Sequence, residues 1–359
     1  MLKTWIAGDC WLNSNLRPID LASVWRETPP DLFIFNLECS VPAGRPRQAR
    51  RALLPFDVKQ LPGLGLGTKN ICILANNHMN DFGAEGVMET IRAVRENGFY
   101  PVGAGESLEL AREPAILRFP DRTIGILAYS DVQYHVGSVA ATERSPGVAP
   151  LDPNLVCEDL RLLAPRVDDI WLALHWGKEY LRYPEPEQRE LARLFARAGA
   201  SLVLGMHPHV MRGSEYAEET PVFYSLGNFI FPPIHLVDGH LRRWDRESNQ
   251  GFVLSGKLVG QHWNWSSTPY LVSEAGEPKR VNLEIQEALQ RKIKELSTPL
   301  NDTYSLRYNR IRRREVLLKT ARRLNTMSWA ERLELPGRIL KATYHRIAGK
   351  DTARVYGSS

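Results

Sequence analysis

Six times in this sequence a short apolar run hands over directly to side chains that ligate metals or transfer protons. Residues 4–7 run into Gly8-Asp9, residues 31–37 into Glu38, and residues 70–75 into Asn76-Asn77-His78. Residues 169–174 run into His175-Trp176-Gly177, residues 201–206 into His207-Pro208-His209, and residues 222–226 into Gly227-Asn228. Aspartate, glutamate, asparagine and histidine together make a mixed oxygen and imidazole donor set. Such a set suits Mn, Fe or Zn better than an all-oxygen Mg site or an all-thiolate structural Zn site. Four of the nine histidines lie in these turns; His135, His235, His240, His262 and His345 have no comparable placement.

The elements that must position these groups can be read from the same pattern. Near-continuous apolar runs of this length are expected of strands covered on both faces. Helical patterns lie between them, over 86–97 ending at Gly98, over 155–163, and over 185–198 ending at Gly199, where a glycine can close a helix. Alternating strands and helices predict a layered α/β fold. In such folds the carboxyl ends of the strands converge on one edge, so residues remote in sequence are expected to meet there. Residues 251–259 and 281–285 read as further strands, antiparallel to the rest. From about residue 285 the pattern turns helical and basic, and Ser328-Trp329-Ala330-Glu331 fits a capping box. The expected division is a catalytic-type domain over 1–284 and a basic helical appendage over 285–359.

Composition narrows the class of protein. With 43% hydrophobic and 24% charged residues the 359-residue chain is of ordinary globular type, long enough for one large α/β domain and an appendage. No window approaches the roughly 18 apolar residues of a membrane span. The first residues enter a strand-like run without a signal-type apolar core, so a cytoplasmic location is expected. The four cysteines, Cys10, Cys39, Cys72 and Cys157, form no C-x-x-C pair and read as small buried hydrophobes in a reducing compartment. The net charge of +5 is unevenly spread. Residues 280–359 hold 18 Lys and Arg against 8 Asp and Glu, leaving the remainder with 28 against 33. The basic character therefore belongs to the C-terminal segment rather than to the domain that carries the candidate site.

Taken one at a time, most of these residues admit a plainer role. Asp9 could cap a helix, Glu38 could be solvated, Asn76-Asn77 could form a turn, and His175 could be a satisfied core histidine. His207-Pro208-His209 is more informative, because proline fixes the backbone between two imidazoles. Asp81 either bonds near His78 or caps the helix beginning near Gly83. Glu179 and Tyr180 either line a pocket, with Glu179 orienting a histidine, or start a surface helix. Asn228 either touches substrate or metal, or bonds to backbone in a turn.

Six motifs in order carry a family resemblance: GDCWL at 8–12, FNLECSV at 35–41, LANNHMNDFG at 74–83, HWGKEY at 175–180, GMHPHV at 205–210 and YSLGNFIF at 224–231. Over roughly residues 1–260 the chain resembles the CapA capsule-synthesis family, which is associated with poly-γ-glutamate capsules and related to the calcineurin-like metallophosphoesterases. The resemblance implies a layered α-β-β-α sandwich and a site for one or two divalent metal ions. By its motifs, Asp9, Glu38 (at the place of a bridging aspartate) and Asn77 resemble metal ligands. His175 and His207 resemble ligands of one ion, and His209 a ligand of the other. His78 resembles the acid that assists the leaving oxygen, with Asp81, Glu179 and Asn228 as substrate-binding or supporting residues. The implied chemistry is in-line hydrolysis, with cations clamping phosphoryl oxygens and acidifying a water. One departure stands out: the superfamily carries a histidine two residues after the first aspartate, where this sequence has Trp11.

The expected function is thus a metal-dependent, phosphoesterase-like hydrolase acting on an anionic polymer or phosphoester in capsule or envelope metabolism. Its rival is a non-hydrolytic accessory for poly-γ-glutamate or polysaccharide synthesis or export. Residues 306–323 hold eight Lys and Arg against Glu315 alone, and Leu317, Leu318, Ala321 and Leu324 share a helical stripe. A helix docked on its own domain, or a peripheral contact with the inner face of an anionic membrane, accounts for that pattern. Nucleic acid ranks below both, since no nucleic-acid-binding motif is visible.

Overall fold

The computed structural model describes residues 1–21, 28–47, 52–132 and 138–326, with side chains described as far as residue 317. Two sheets form its centre. The first has the order Pro278–Lys279, His262–Val272, Gln250–Val259, Lys3–Cys10, Leu32–Leu37, Lys69–Ile73, Tyr100–Val102, with Asn228–Ile230 also pairing to Lys3–Cys10. The second has the order Ser214–Ala217, Thr220–Phe223, Leu202–Met206, Asp169–His175, Arg122–Ser130, Ala115–Phe119. Within the first, Lys3–Cys10, Leu32–Leu37, Lys69–Ile73 and Tyr100–Val102 run parallel; within the second, Arg122–Ser130, Asp169–His175, Leu202–Met206 and Thr220–Phe223 do.

Alternation along each strand explains the layers. On the first sheet Ile6, Leu32, Ile34, Ile71 and Ile73 join Ile124, Ile126, Trp171, Ala173, Leu202 and Leu204 in one buried cluster that glues the two sheets together. Their neighbours Trp5, Ala7, Phe33, Phe35 and Cys72 point the other way, into a second cluster with Val87, Ile91 and Val94 of the helix Gly83–Glu96. The helices Pro153–Leu163 and Pro186–Arg197 bury Val156, Leu160, Ala192 and Phe195. The result is the expected α-β-β-α sandwich, and double coverage is why the strands read as unbroken apolar runs.

Several boundaries differ from the sequence reading. Residues 281–285 are not a strand: Asn282 accepts a hydrogen bond from Ile285 N–H as the N-cap of the helix Leu283–Ser297. The local apolar alternation lost to a longer helical period that buries Leu289, Ile293 and Leu296. Because that helix packs on His262–Val272 and Ser214–Ala217, the first compact unit runs to Leu300 rather than to 284. The run at 222–226 breaks at Phe223, and Gly227, with φ +81°, turns the chain into the Asn228–Ile230 strand. The second half of the hairpin Gln250–Val259 and His262–Val272 went unread, since His262–Val272 alternates exposed and half-buried residues. The basic segment is helical over Tyr304–Thr326. The capping box at 328–331, the side chains of Leu318, Ala321 and Leu324, and His135 and His345 lie outside the described residues. Among the described residues no helix is long and apolar enough to cross a membrane. All four cysteines are buried, and burial raises the Cys10, Cys39 and Cys72 thiols, so they stay protonated and inert.

Candidate metal centre

Strand register delivers the site. Asp9 stands opposite Asn36 on one side and Asn228 on the other, and His175 stands opposite Met206, the residue before His207. The register of Lys3–Cys10 slips between Ile6 and Asp9, a bulge that turns the aspartate towards the strand ends. The bulge needs Gly8: a Cβ there would lie 1.8 Å from the Gly227 carbonyl oxygen. On the second sheet, His207 and His209 take positive φ angles of 93° and 55° on either side of Pro208. Left-handed backbone at two non-glycine residues costs of order 1–3 kcal/mol each and is a mark of functional sites.

The side chains converge. Asp9, Glu38, His175, His207 and His209 are all buried, none more than 3% exposed. Glu38 Oε1 lies 3.5 Å from His209 Nε2 and 4.0 Å from both His175 Nε2 and His78 Nε2. Asp9 Oδ2 lies 3.5 Å from His209 Nδ1. His175 Nε2 is 2.8 Å from Asn77 Oδ1 and 3.0 Å from His207 Nδ1. His78 Nδ1 is 2.7 Å from Asp81 Oδ2, which also accepts Leu54 N–H; an oxygen so engaged makes the imidazole the donor and turns Nε2 towards Glu38. Asp81 is therefore tied to His78 and is not a helix cap: Phe82 is the N-cap of Gly83–Glu96, with no side-chain cap bond. Asn228 is not a turn residue. It sits in a strand, with Oδ1 2.9 Å from His209 Nδ1 and its amide donating to Ser248 O. Glu179 is not brought into the cluster: it is exposed, in a turn, and bonds the Tyr180 hydroxyl.

Asn36, to which the sequence reading gave no role, holds the arrangement together with Asn76. Asn36 Nδ2 donates to Asp9 Oδ1 at 2.8 Å and to Glu38 Oε2 at 3.3 Å, so one amide fixes both carboxylates. Asn36 Oδ1 in turn accepts from Asn76 Nδ2, which also donates to Leu37 O. A signal for Asn36 existed, as the one polar residue in the apolar Leu32–Leu37 run, two positions from Glu38 and on the same face. Burial raises the Asp9 carboxyl above its ordinary 3.8, while His209, the Asn36 amide and the His207 N–H pull it back. Trp11 is a wall: its indole N–H donates to Pro55 O at 3.0 Å and its ring meets Phe231.

The donor set fits divalent cations. Around an ion with bonds of about 2.0–2.2 Å, neighbouring donor atoms sit roughly 3–3.5 Å apart, close to the 2.8 and 3.0 Å separations of His175 Nε2 from Asn77 Oδ1 and His207 Nδ1 and the 3.5 Å separation of Glu38 Oε1 from His209 Nε2. Two triads, Glu38–His207–His209 and Asp9–Glu38–His175, each keep all their donor atoms within 4.8 Å of one another, and Glu38 is common to both.

The sequence model of the family described as bacterial capsule synthesis protein PGA_cap matches residues 13–233. The chain belongs to that family. It is 37% identical over 158 residues to the PGA biosynthesis protein CapA of Bacillus subtilis, a match covering 44% of this chain and 41% of that protein. It is 28% identical over 239 residues to a probable polyglutamine synthesis accessory protein of Mycobacterium tuberculosis, covering 59% of this chain and 60% of that one. The chain thus spans about two fifths and three fifths of these relatives. Among solved structures, the calcineurin-like phosphoesterase YfkN of Bacillus subtilis is similar at 12% identity and a TM-score of 0.37, covering 82% of this chain and 97% of that one. The match to the capsule family bears out the resemblance seen in the six motifs.

Proposed function

We propose that this PGA_cap member is a metal-dependent hydrolase acting on an anionic bond, phosphoester or related, in capsule or envelope polymer metabolism. One observation carries the reading: two carboxylates, three imidazoles and the Asn77 amide, drawn from five strand ends, meet in one buried cluster. Glu38, His207 and His209 would hold one divalent ion, and Asp9, Glu38 and His175 another, with the Asn77 amide oxygen beside His175. Mn, Fe or Zn suits such mixed ligands. A bound ion supplies Lewis-acid polarisation of the anion under attack. The protein's own residues do the rest. Asn36 fixes the rotamers of Asp9 and Glu38, Asp81 accepts the Nδ1 proton of His78, and His78 in its imidazolium form would then donate the Nε2 proton to the leaving oxygen, a contribution of about 10²- to 10⁴-fold.

The test is elemental analysis together with phosphodiester turnover for wild type and His207→Ala. Metal content and turnover equal in the two proteins would discredit the reading. A second reading, a non-hydrolytic accessory that binds polymer through the same cleft, is favoured by Trp11. With its indole tied to Pro55, the Asp9 side of the site lacks one imidazole. Turnover of a phosphoester at a useful rate with added Mn would eliminate it. The basic helix Tyr304–Thr326, with Arg307, Arg310, Arg312, Arg313 and Arg314, supports a peripheral contact with an anionic membrane. Binding to anionic vesicles by the full chain, lost on truncation after Leu300, is the expected result.

A further inference from the structure

An aromatic stack leads outward from His209. The His209 ring lies 5.8 Å from Tyr180, nearly parallel to it, 5.7 Å from Trp244 and 4.9 Å from Phe231. Beyond that layer lies Arg242. Its guanidinium carbon is 4.9 Å from the centre of the Tyr180 ring and 5.8 Å from that of Trp244, within cation–π range of both. Those contacts place the guanidinium at most about 11 Å from the His209 ring centre, where a group a few bonds from a reacting centre would fall.

The platform under Arg242 is braced. Tyr180 has φ +62° and donates its N–H to Pro208 O, so it is tied to the turn between the two imidazoles. Buried Arg212 donates to the carbonyls of Lys178 and Leu181 on either side of it. Trp244 donates its indole N–H to Pro232 O. A rigid support spares the entropy of ordering a long side chain on binding.

Arg242 also differs from the other well-placed cations of the first unit. Arg112 is committed to Asp159, Arg122 to Asp169, Arg189 to Glu215 and Lys292 to Glu247. Among the described residues no carboxylate pairs with Arg242, which is exposed; Glu179, which shares Tyr180 with it, is engaged by the phenol hydroxyl. A guanidinium resting over two rings, and not paired with a carboxylate, can offer its N–H groups to the two oxygens of an oxyanion.

We propose that Arg242, laid across Tyr180 and Trp244, is a specificity-determining residue that receives an anionic group of the substrate beside the metal centre. The group is an oxyanion, either the free α-carboxylate of a γ-linked glutamyl unit or a phosphate. This deepens the functional reading above and rests on it for the location of the reacting bond.

The experiment is calorimetric titration of the full-length protein, with and without Mn, using inorganic phosphate, a γ-linked pentaglutamate and its fully amidated analogue as probes. Wild type, Arg242→Gln and Arg242→Lys are compared, and manganese content is measured for each and for His207→Ala. Arg242→Gln is expected to weaken the preferred anionic probe by about tenfold or more, the effect of a lost charge-assisted pair, and to leave the amidated analogue and the manganese content unchanged. Arg242→Lys should recover only part of the loss, because a point charge cannot present a planar edge. Preference for the peptide or for phosphate identifies the source of the oxyanion, and either result supports the proposal. Equal anion affinity in wild type and Arg242→Gln overturns it. So does failure of wild type to bind either anion, or an equal loss with the uncharged analogue. Manganese retained by His207→Ala, alongside anion binding lost in Arg242→Gln, would sink the metal reading and leave this one standing.

Discussion

Replacing Asn36 with alanine removes the one amide that serves both buried carboxylates. Its Nδ2 holds Asp9 Oδ1 at 2.8 Å and Glu38 Oε2 at 3.3 Å, and both acids are fully buried. A hydrogen bond to a charged group is worth about 1.5–3 kcal/mol. The 2.8 Å bond should realise most of that and the longer bond less, giving a loss of about 2–4 kcal/mol where both acids are ionised. The sign with pH follows from Asp9. Its carboxyl is raised above 3.8 by burial and lowered by Asn36, so removing the amide raises it further. A protonated Asp9 has less need of the donor, so the deficit should be largest near pH 8 and shrink as pH falls towards the raised Asp9 range. Both acids are candidate ligands, so losing their orienting partner should also cost about 10- to 100-fold in divalent affinity. Thermal unfolding at pH 8 and at pH 5, with Mn titrations at pH 8, measures both effects. Unchanged melting temperature and unchanged Mn affinity in Asn36→Ala would refute the idea that this amide positions the carboxylates.

Further outcomes follow from the same geometry. Gly8→Ala should destabilise the protein by more than about 2 kcal/mol and lower metal content, because its Cβ would sit 1.8 Å from Gly227 O; a wild-type melting temperature would contradict the close approach. Asp81→Asn should leave metal content intact yet reduce turnover by about tenfold or more, because His78 Nδ1 loses its carboxylate; turnover and elemental analysis on one preparation decide it. Stabilisation by Mn should weaken as pH falls, since binding displaces protons from imidazoles and from the raised Asp9 carboxyl; a thermal shift independent of pH would contradict ligation by these groups.

The sequence by itself marked most of the candidate donors, though not where each strand ends. An apolar run covered on both faces has little room for an unpartnered polar residue, so a donor at its end faces a site or solvent, and six such handovers marked Asp9, Glu38, Asn77, His78, His175, His207, His209 and Asn228 in advance. Helices with clear 3.6-residue periodicity and a closing glycine, such as Gly83–Glu96 before Gly98, were legible for the same local reason. Tertiary structure decided the rest. Residues 281–285 alternate like a strand, yet the periodic face of Leu289, Ile293 and Leu296 could be buried only as a helix. Asn36 lay unmarked inside a strand until parallel pairing set it opposite Asp9. Arg242, Tyr180 and Trp244 share no spacing that a sequence could report. They meet because the turn after His175 and the segment after Ile234 both pack against His209, and packing joins side chains by distance in space, which separation along the chain does not encode.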